Sequence, residues 1–394
     1  MEKSPLHHQP YFERPEKEFN NSVWDLVRKA HDEKKTKTAF YQSLNYINSE
    51  SHYNESLLEA KSLRVMQGGR PVDLTWDDNK IYFQTNLLNY KDGMELASLR
   101  KLSEFSFFDL KLAQLKIKHD KIILRFEDQW DALDPYKFFD IMEDFCNFGD
   151  FLESYMVKKF RIESPNQSAR TPESEKRIEA AWILFQELSN ETKHYLDVFE
   201  KKRYRDTCVE VFWNYLQKID YIFSPRGYLK LELKSAYTDL NPNTGFETMY
   251  AKIFTNFKKI SEISKENFQI SFYKERSFMP TRRVAYVERT KLHFDEYLKN
   301  AFQYRNKQDY ILSSLYLNTA IYTYLNRYFC EPELATYLKN LLARASGVSW
   351  KTASERLYTG LERYLINQNL IYQESVNIES ALNIVIGWFK RIVR

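Results

Sequence analysis

LAQLKIKHDKIILRFEDQWDALDPYKFFDIMEDFCNFGDFLESYMVKK, residues 112–159, contains the change of period that decides the fold. LAQLKIKH (112–119) and KIILRFE (121–127) alternate with a period of two about the turn residues His119-Asp120, which predicts a hairpin. Ile122, Leu124 and Phe126 share one face of the second strand, and Ile123, Arg125 and Glu127 share the other. Asp134-Pro135 then starts a helix, with Asp as N-cap and Pro at the first helical position. That helix is expected to run to about Lys159, with Phe138, Phe139, Ile141, Met142, Phe145, Phe148, Leu152 and Tyr155 on a broad apolar side. The acidic run Glu127, Asp128, Asp131, Asp134 lacks the central Gly and late Glu of an EF-hand, and reads as a hairpin end and a helix cap.

Upstream, helical patterning begins near Glu16 with Val23, Trp24, Val27 and Ala30, and a second short helix covers 36–48 with Phe40, Leu44 and Ile47. LRVMQ (63–67), the turn GGRP (68–71) and VDLTW (72–76) read as two strands. After the turn Asp77-Asp78-Asn79, KIYFQTNLL (80–88) is a third strand, with Ile81, Phe83, Thr85 and Leu87 on one face. A helix follows at about 94–105, carrying Leu96, Leu99 and Leu102. Residues 1–15 read as a disordered tail, and RIESPNQSARTP (161–172) reads as a linker. The division is therefore a tail (1–15), an α+β domain (16–160) whose antiparallel sheet has flanking helices, a linker (161–172) and a larger, mostly α-helical domain (173–394).

The order helix, three strands, helix, two strands, helix, together with the hairpin and Asp-Pro-started aromatic helix of Leu112–Lys159, resembles the compact α+β fold of type III secretion chaperones and the related YbjN-like proteins. The resemblance spans about residues 36–160. It implies a bacterial chaperone-like domain that binds extended segments of partner proteins along its sheet and helix surfaces and pairs into dimers. Exposed strand edges would serve such binding by strand addition. The contact elements it implies are the sheet near Ile81, Phe83, Leu115, Ile117 and Phe126, and the helix from Phe138 to Tyr155.

Beyond the linker, helices are expected at 173–188, 190–202, 204–221, 246–263, 288–304, 307–329, 331–346, 350–366 and 377–393. Phe223 to Gly245, with its SPRG and NPNTG breakers, reads as a loop or small hairpin, and 264–287 as irregular or containing strands. LARASGVSWKTASERL (342–357) resembles the helix-turn-helix of lactose-repressor-like and GntR-like regulators. Gly347 would permit a left-handed turn and Ser349 would cap the second helix. Ser349, Trp350, Lys351, Thr352 and Ser354 would then be the nucleic-acid contacts. The structural reading of the same residues is a plain helical hairpin, and Arg356 stands where such motifs often place an apolar residue. Two basic clusters are further candidates: Lys201, Lys202, Arg203 and Arg205, and Lys274, Arg276, Arg282 and Arg283, the latter interleaved with Phe272, Tyr273 and Phe278. The end of the chain, ALNIVIGWFKRIVR (381–394), is amphipathic and reads as a docked terminal helix, with a membrane-surface helix as the alternative.

The sequence has 394 residues with 9 Gly and 11 Pro, which disfavours sandwiches and low-complexity tails. No apolar run is long enough to cross a membrane, and the first residues lack a signal-peptide pattern. Cys146, Cys208 and Cys330 are distant from one another and read as buried thiols in a reducing, cytoplasmic setting. Residues 1–160 carry 23 basic against 27 acidic side chains, and 161–394 carry 35 against 27, so two bodies of opposite charge are expected. No Walker A loop, GxGxxG, GxSxG, HExxH or Cys/His cluster is present, so no cofactor, metal or catalytic residue is expected. The leading reading is a non-enzymatic protein-binding adaptor whose 28 Tyr and 28 Phe supply contact surface for a protein partner or a second copy. The alternatives are a DNA-binding regulator using 341–357 and an enzyme with a cryptic site in the helical domain.

Overall fold

The structure, a computed structural model, describes residues 3–12, 19–90, 95–166, 171–240, 245–274, 277–285 and 287–367; of Lys274, Val284 and Asn367 only the backbone is described. The expected helix at 377–393, the amphipathic end at 381–394 and Arg276 lie outside the described residues.

The first body is an antiparallel five-stranded sheet in the order β1-β2-β3-β5-β4. Its strands are β1 (Ser62–Gln67), β2 (Arg70–Trp76), β3 (Lys80–Asn89), β4 (Gln114–Lys118) and β5 (Lys121–Gln129). Two-residue turns join β1 to β2 through Gly68-Gly69 and β4 to β5 through His119-Asp120, with Gly68 and His119 at positive φ. Leu74 pairs with Phe83, Phe83 with Phe126, and Leu124 with Leu115, so one face is continuously apolar. The opposite face carries Arg64, Asp73, Gln84 and Arg125 in register and stays in water. Helices α1 (Asn21–Asp32) and α2 (Thr36–Ile47), the single turn α3 (Ser56–Glu59) and α4 (Leu96–Phe108) flank the sheet. The aromatic helix anticipated from Asp134 starts as expected, with the Asp134 carboxylate accepting from the N–H groups of Tyr136 and Lys137. It runs as α5 (Pro135–Glu143), a π-helical turn (Asp144–Phe148) and α6 (Gly149–Phe160). Phe40, Phe83, Phe138, Phe145, Leu124 and Met156 meet in the core between sheet and helices.

The π turn has a local cause. Arg70, the first residue of β2, is buried beneath it and donates from Nη2 to the carbonyls of Phe145 (2.6 Å) and Cys146 (3.4 Å). Carbonyls drawn to a guanidinium leave the regular helical ladder, and the helix widens there. Nη1 reaches Oε2 of Glu153 at 3.3 Å, and Glu153 also accepts from Ser164. A Cβ on Gly149 would stand 2.9 Å from Nη2, so the guanidinium uses the space that a side chain would fill. At the first residue of the π turn, the buried Asp144 carboxylate accepts three consecutive N–H groups, from Lys111, Leu112 and Ala113, and so anchors the entry to β4.

The second body is helical: α7 (Glu175–Lys201), α8 (Arg205–Phe223), α9 (Gly227–Asp239), α10 (Phe246–Ser261), the short α11 (Lys265–Gln269), α12 (Val287–Asn306), α13 (Tyr310–Arg327), α14 (Pro332–Ala345) and α15 (Trp350–Asn367). Two expectations differ. The break expected at 189 is absent, because the Ser189 hydroxyl donates back to the Phe185 carbonyl at 2.8 Å and meets Tyr215 at 2.8 Å inside the core, keeping one continuous helix. The stretch from Phe223 to Gly245 contains α9; its breakers lie at the two ends, and Leu229, Leu233 and Ala236 between them are buried.

Residues 3–12 also depart from the expected disordered tail. They lie on the helical body as a strap: Tyr195 donates to the Lys3 carbonyl at 2.7 Å, Leu6 N–H to Glu191 at 2.8 Å, and Tyr11 N–H to the Ile222 carbonyl at 2.7 Å. The two bodies meet where 277–279 enter the first core. Phe278 and Met279 are buried there, and both their N–H groups donate to Oε1 of Gln67, at 2.9 and 3.0 Å.

Removing one partner of the Arg70–Glu153 pair leaves a buried charge alone. Arg70→Ala is expected to lower stability by about 3–5 kcal/mol, read as the urea midpoint, whereas Arg70→Met combined with Glu153→Leu recovers most of the loss. An Arg70→Ala protein as stable as the parent refutes this account of the π turn.

Candidate functional site

The helix-turn-helix-like segment has the anticipated local geometry. Gly347 has φ +65°, and the Ser349 hydroxyl accepts the Thr352 N–H at 3.2 Å. Its side chains do not face as a recognition helix requires. Trp350 is buried against the rings of Tyr195 (5.7 Å) and Phe199 (6.3 Å), and Ser354 is buried with its hydroxyl on Ser313 at 2.8 Å. These two candidate contacts therefore belong to the core of the bundle. Arg356, the residue that did not fit the motif, donates to the Arg344 carbonyl at 2.5 Å and ties the last turn of α14 to α15. The turn itself is covered: the Ser4 hydroxyl donates to the carbonyls of Ala345 (2.6 Å) and Val348 (3.1 Å), Gly347 N–H donates to the Ser4 carbonyl at 3.2 Å, and Lys3 bridges Ser349.

Ser349, Lys351 and Thr352 remain at the surface, and tertiary structure brings two of them to the first basic cluster. Lys202, Arg203 and Arg205, at and just past the end of α7, line a wide groove of about 1440 Å³ with Ser349 and Lys351. Lys3 and Lys307 add further cations. Part of this charge is already balanced, because Arg205 donates from Nη1 to both carboxylate oxygens of Glu247 (2.7 and 3.0 Å) and lies over Tyr250. Lys351 lies over Tyr310, 5.8 Å from its ring centre. Lys201 is exposed but does not line the groove. The second basic cluster is not assembled with the first: Arg282 lies over Phe329 at 5.3 Å in a separate cavity, and Arg283 pairs through its backbone with Tyr328.

The sheet residues proposed as contacts divide by position. Ile81 and Phe83 in the central strand are core, as is Phe138 in the helix. Ile117 is different. It lies on β4, an edge strand paired only with β5 among the described residues, and is 55% exposed. The end of α4, which packs on β4, presents Phe107 and Phe108 at 84% and 83% exposure. Leu96, three turns before Phe107 on the same side of α4, is 61% exposed. Sequence reading placed Leu96, Leu99 and Leu102 on this helix and ended it at about 105; of the three only Leu102 is buried, and the exposed pair Phe107-Phe108 was missed.

No family model matches the chain. No curated protein matches it. A solved heterodimeric complex, ExoU–SpcU from the type III secretion system of Pseudomonas aeruginosa, matches at 14% identity over 28% of this chain and 92% of the matched chain, with a TM-score of 0.22. A score of that size does not establish a shared fold.

Titratable groups perturbed by burial were also invisible to motif reading. Burial, together with Asp206 one turn earlier, pushes the Glu210 carboxyl up to about 8, beside a contact series of Tyr297, Tyr316 and Tyr304. Cys146, Cys208 and Cys330 are buried thiols. Among the described residues there is no group of three His, Cys, Asp or Glu side chains placed to hold a metal, and no helix is long and apolar enough to cross a membrane.

The strap carries a titratable lock. His7 Nδ1 meets the buried Tyr322 hydroxyl at 2.8 Å, and burial, aided by Lys218, lowers the imidazole to about 4. The folded chain therefore keeps His7 neutral down to about pH 4, whereas an unfolded chain takes up the proton near 6.5. Stability should fall as pH drops from 6.5 to 4, by on the order of 3 kcal/mol from this residue. Comparing the pH dependence of the urea midpoint in the parent and His7→Phe checks this; identical slopes rule out the lock.

Proposed function

We propose that the protein is a non-enzymatic adaptor that receives an extended segment of a partner protein along the edge of its sheet, against β4 and the end of α4. The observation that carries this reading is the exposure of Phe107 and Phe108 beside an edge strand that itself exposes Ile117. Burying a phenylalanine ring is worth about 1.5–3 kcal/mol, so an adjacent pair is a substantial anchor. An open edge offers N–H and C=O groups in the ladder spacing that an added strand needs. Lys116 and Lys118 are exposed along the same strand. They discourage indiscriminate edge pairing and favour a segment with acidic residues flanking its apolar ones. The pairing of type III chaperone-like domains, implied by the sequence resemblance, would place a second copy of the chain at the same edge as an alternative occupant.

A DNA-binding regulator has less support, since Trp350 and Ser354 face the core and the strap crosses the turn. The adaptor reading is tested with the full chain and a peptide panel alternating apolar and acidic residues. At least one peptide is expected to bind, and Phe107→Asp, Phe108→Asp and Ile117→Asp are each expected to weaken it at least tenfold. Arg205→Gln and Lys351→Gln should leave binding unchanged. If the same three substitutions instead abolish a concentration-dependent dimer, a second copy occupies the edge. Peptide binding and oligomeric state that are indifferent to all three refute the proposal.

A further inference from the structure

Four helices begin at the groove of about 1440 Å³ on the helical body: α8 at Arg205, α10 at Phe246, α13 at Tyr310 and α15 at Trp350 each put their first residue in its lining. Each brings the positive end of a helix dipole. α8 and α10 start without a side-chain cap, so their first N–H groups are left to water or to a ligand. Six cations line the groove against two carboxylates, Asp206 and Asp309, and Asp309 is engaged in capping the Leu312 N–H at 3.0 Å. Arg205 is neutralised by Glu247. Lys202 and Arg203 on the α7–α8 turn and Lys307 on the α12–α13 turn are exposed, and their charged groups have neither an ion-pair nor a ring partner among the described residues. In the same lining Trp350 is 8% exposed, and its Nε1 N–H has no acceptor among the described residues. The groove therefore holds unspent donors and an excess of positive charge in a recess, where attraction for an anion is focused.

Two rings of the lining are open. Tyr204, which follows Arg203 directly, packs on Phe199 with planes 20° apart and is still 51% exposed. Phe246, offset against Tyr250 with ring centres 6.1 Å apart, is 38% exposed. Free cations beside exposed rings in one recess fit a polymer that carries an anion and a flat base at every unit. Pairing in a duplex hides the base faces on which such rings stack. The first turn of α15 is also unfit to read a major groove, since Trp350 and Ser354 face the core. We infer that this groove binds a single-stranded nucleic acid, with phosphates on Lys202, Arg203 and Lys307 and bases on Tyr204 and Phe246. An acidic protein segment would use the cations and leave the rings without a role. None of these residues belongs to the β4–α4 edge, so the groove stands or falls independently of the adaptor reading.

The test is fluorescence anisotropy of labelled oligo(U) and oligo(dT) of about 12 nucleotides titrated with the full chain, against a duplex of equal length and a polyglutamate peptide. At least one single strand is expected to bind at least tenfold more tightly than the duplex or the polyglutamate, and the tighter of the two strands identifies the sugar. Its affinity should fall with salt at a log–log slope of about 2, from three phosphate contacts. Arg203→Gly and Lys307→Gln should each weaken binding about threefold and lower that slope by about 0.7. Arg203 has φ +60°, so glycine relaxes the backbone there and the loss cannot come from unfolding. Tyr204→Leu should weaken binding at least fivefold, whereas Tyr204→Phe, which keeps the ring, should not. Phe107→Asp, at the sheet edge, should have no effect. Absence of binding of both strands at about 0.1 mM protein overturns the inference. So does a duplex or polyglutamate that binds as tightly and competes with the single strands, and so does binding indifferent to Tyr204→Leu.

Discussion

The tip of the β1–β2 hairpin is the constraint on which the rest of the molecule depends. Gln67 and Arg70 flank the Gly68-Gly69 turn, and both are buried polar side chains that must find partners. Arg70 finds them in the helix layer, at the Phe145 and Cys146 carbonyls and Glu153. Gln67 finds them in the second body, at the N–H groups of Phe278 and Met279. One short turn thus sets the position of the π-interrupted helix over the sheet and docks the helical body against it. Glycine suits position 68, where φ is +64° and a side chain would add strain.

From that fixed point the surfaces acquire their characters. The central strands are sealed on their inner face by the aromatic helix, which removes Ile81, Phe83 and Phe138 from any partner's reach. The outer edge at β4 is beyond that cover, and α4 ends there with two phenylalanines in water. In the helical body, the strap both closes the turn before α15 and forms one wall of a cavity beside α14. The features of functional interest therefore lie where an element ends or where a chain segment crosses another body, and the middles of elements serve the cores.

Local chemistry was legible wherever it was self-contained. The strands at 63–67, 72–76 and 80–88, the hairpin about His119-Asp120 and the cap at Asp134 could be read because alternation, turn residues and an Asp-Pro pair act over a few positions. The same logic failed at Ser189, where a backbone-competing hydroxyl was satisfied within the helix, and at α9, where breakers at both ends masked a helix between them. It also failed for residues 3–12: their polar, proline-bearing composition resembles a free tail, and only partners more than a hundred residues away in the chain hold them.

The amino-acid order by itself determined the antiparallel α+β body, the predominantly helical remainder and the capped hairpin at 342–357, because periodicity and capping are properties of neighbouring residues. Which charged or aromatic side chains face water, and which of them stand together, was decided only by tertiary packing. Trp350 and Ser354 turned inward because α15 packs against α13 while the Trp350 ring meets α7. Lys351 came to lie beside Arg203 because α7 ends where α15 begins, and Arg282 joined Arg226 and Lys339 across three elements distant in sequence. Side-chain direction on a helix is set by its partners, and no window of adjacent residues contains them.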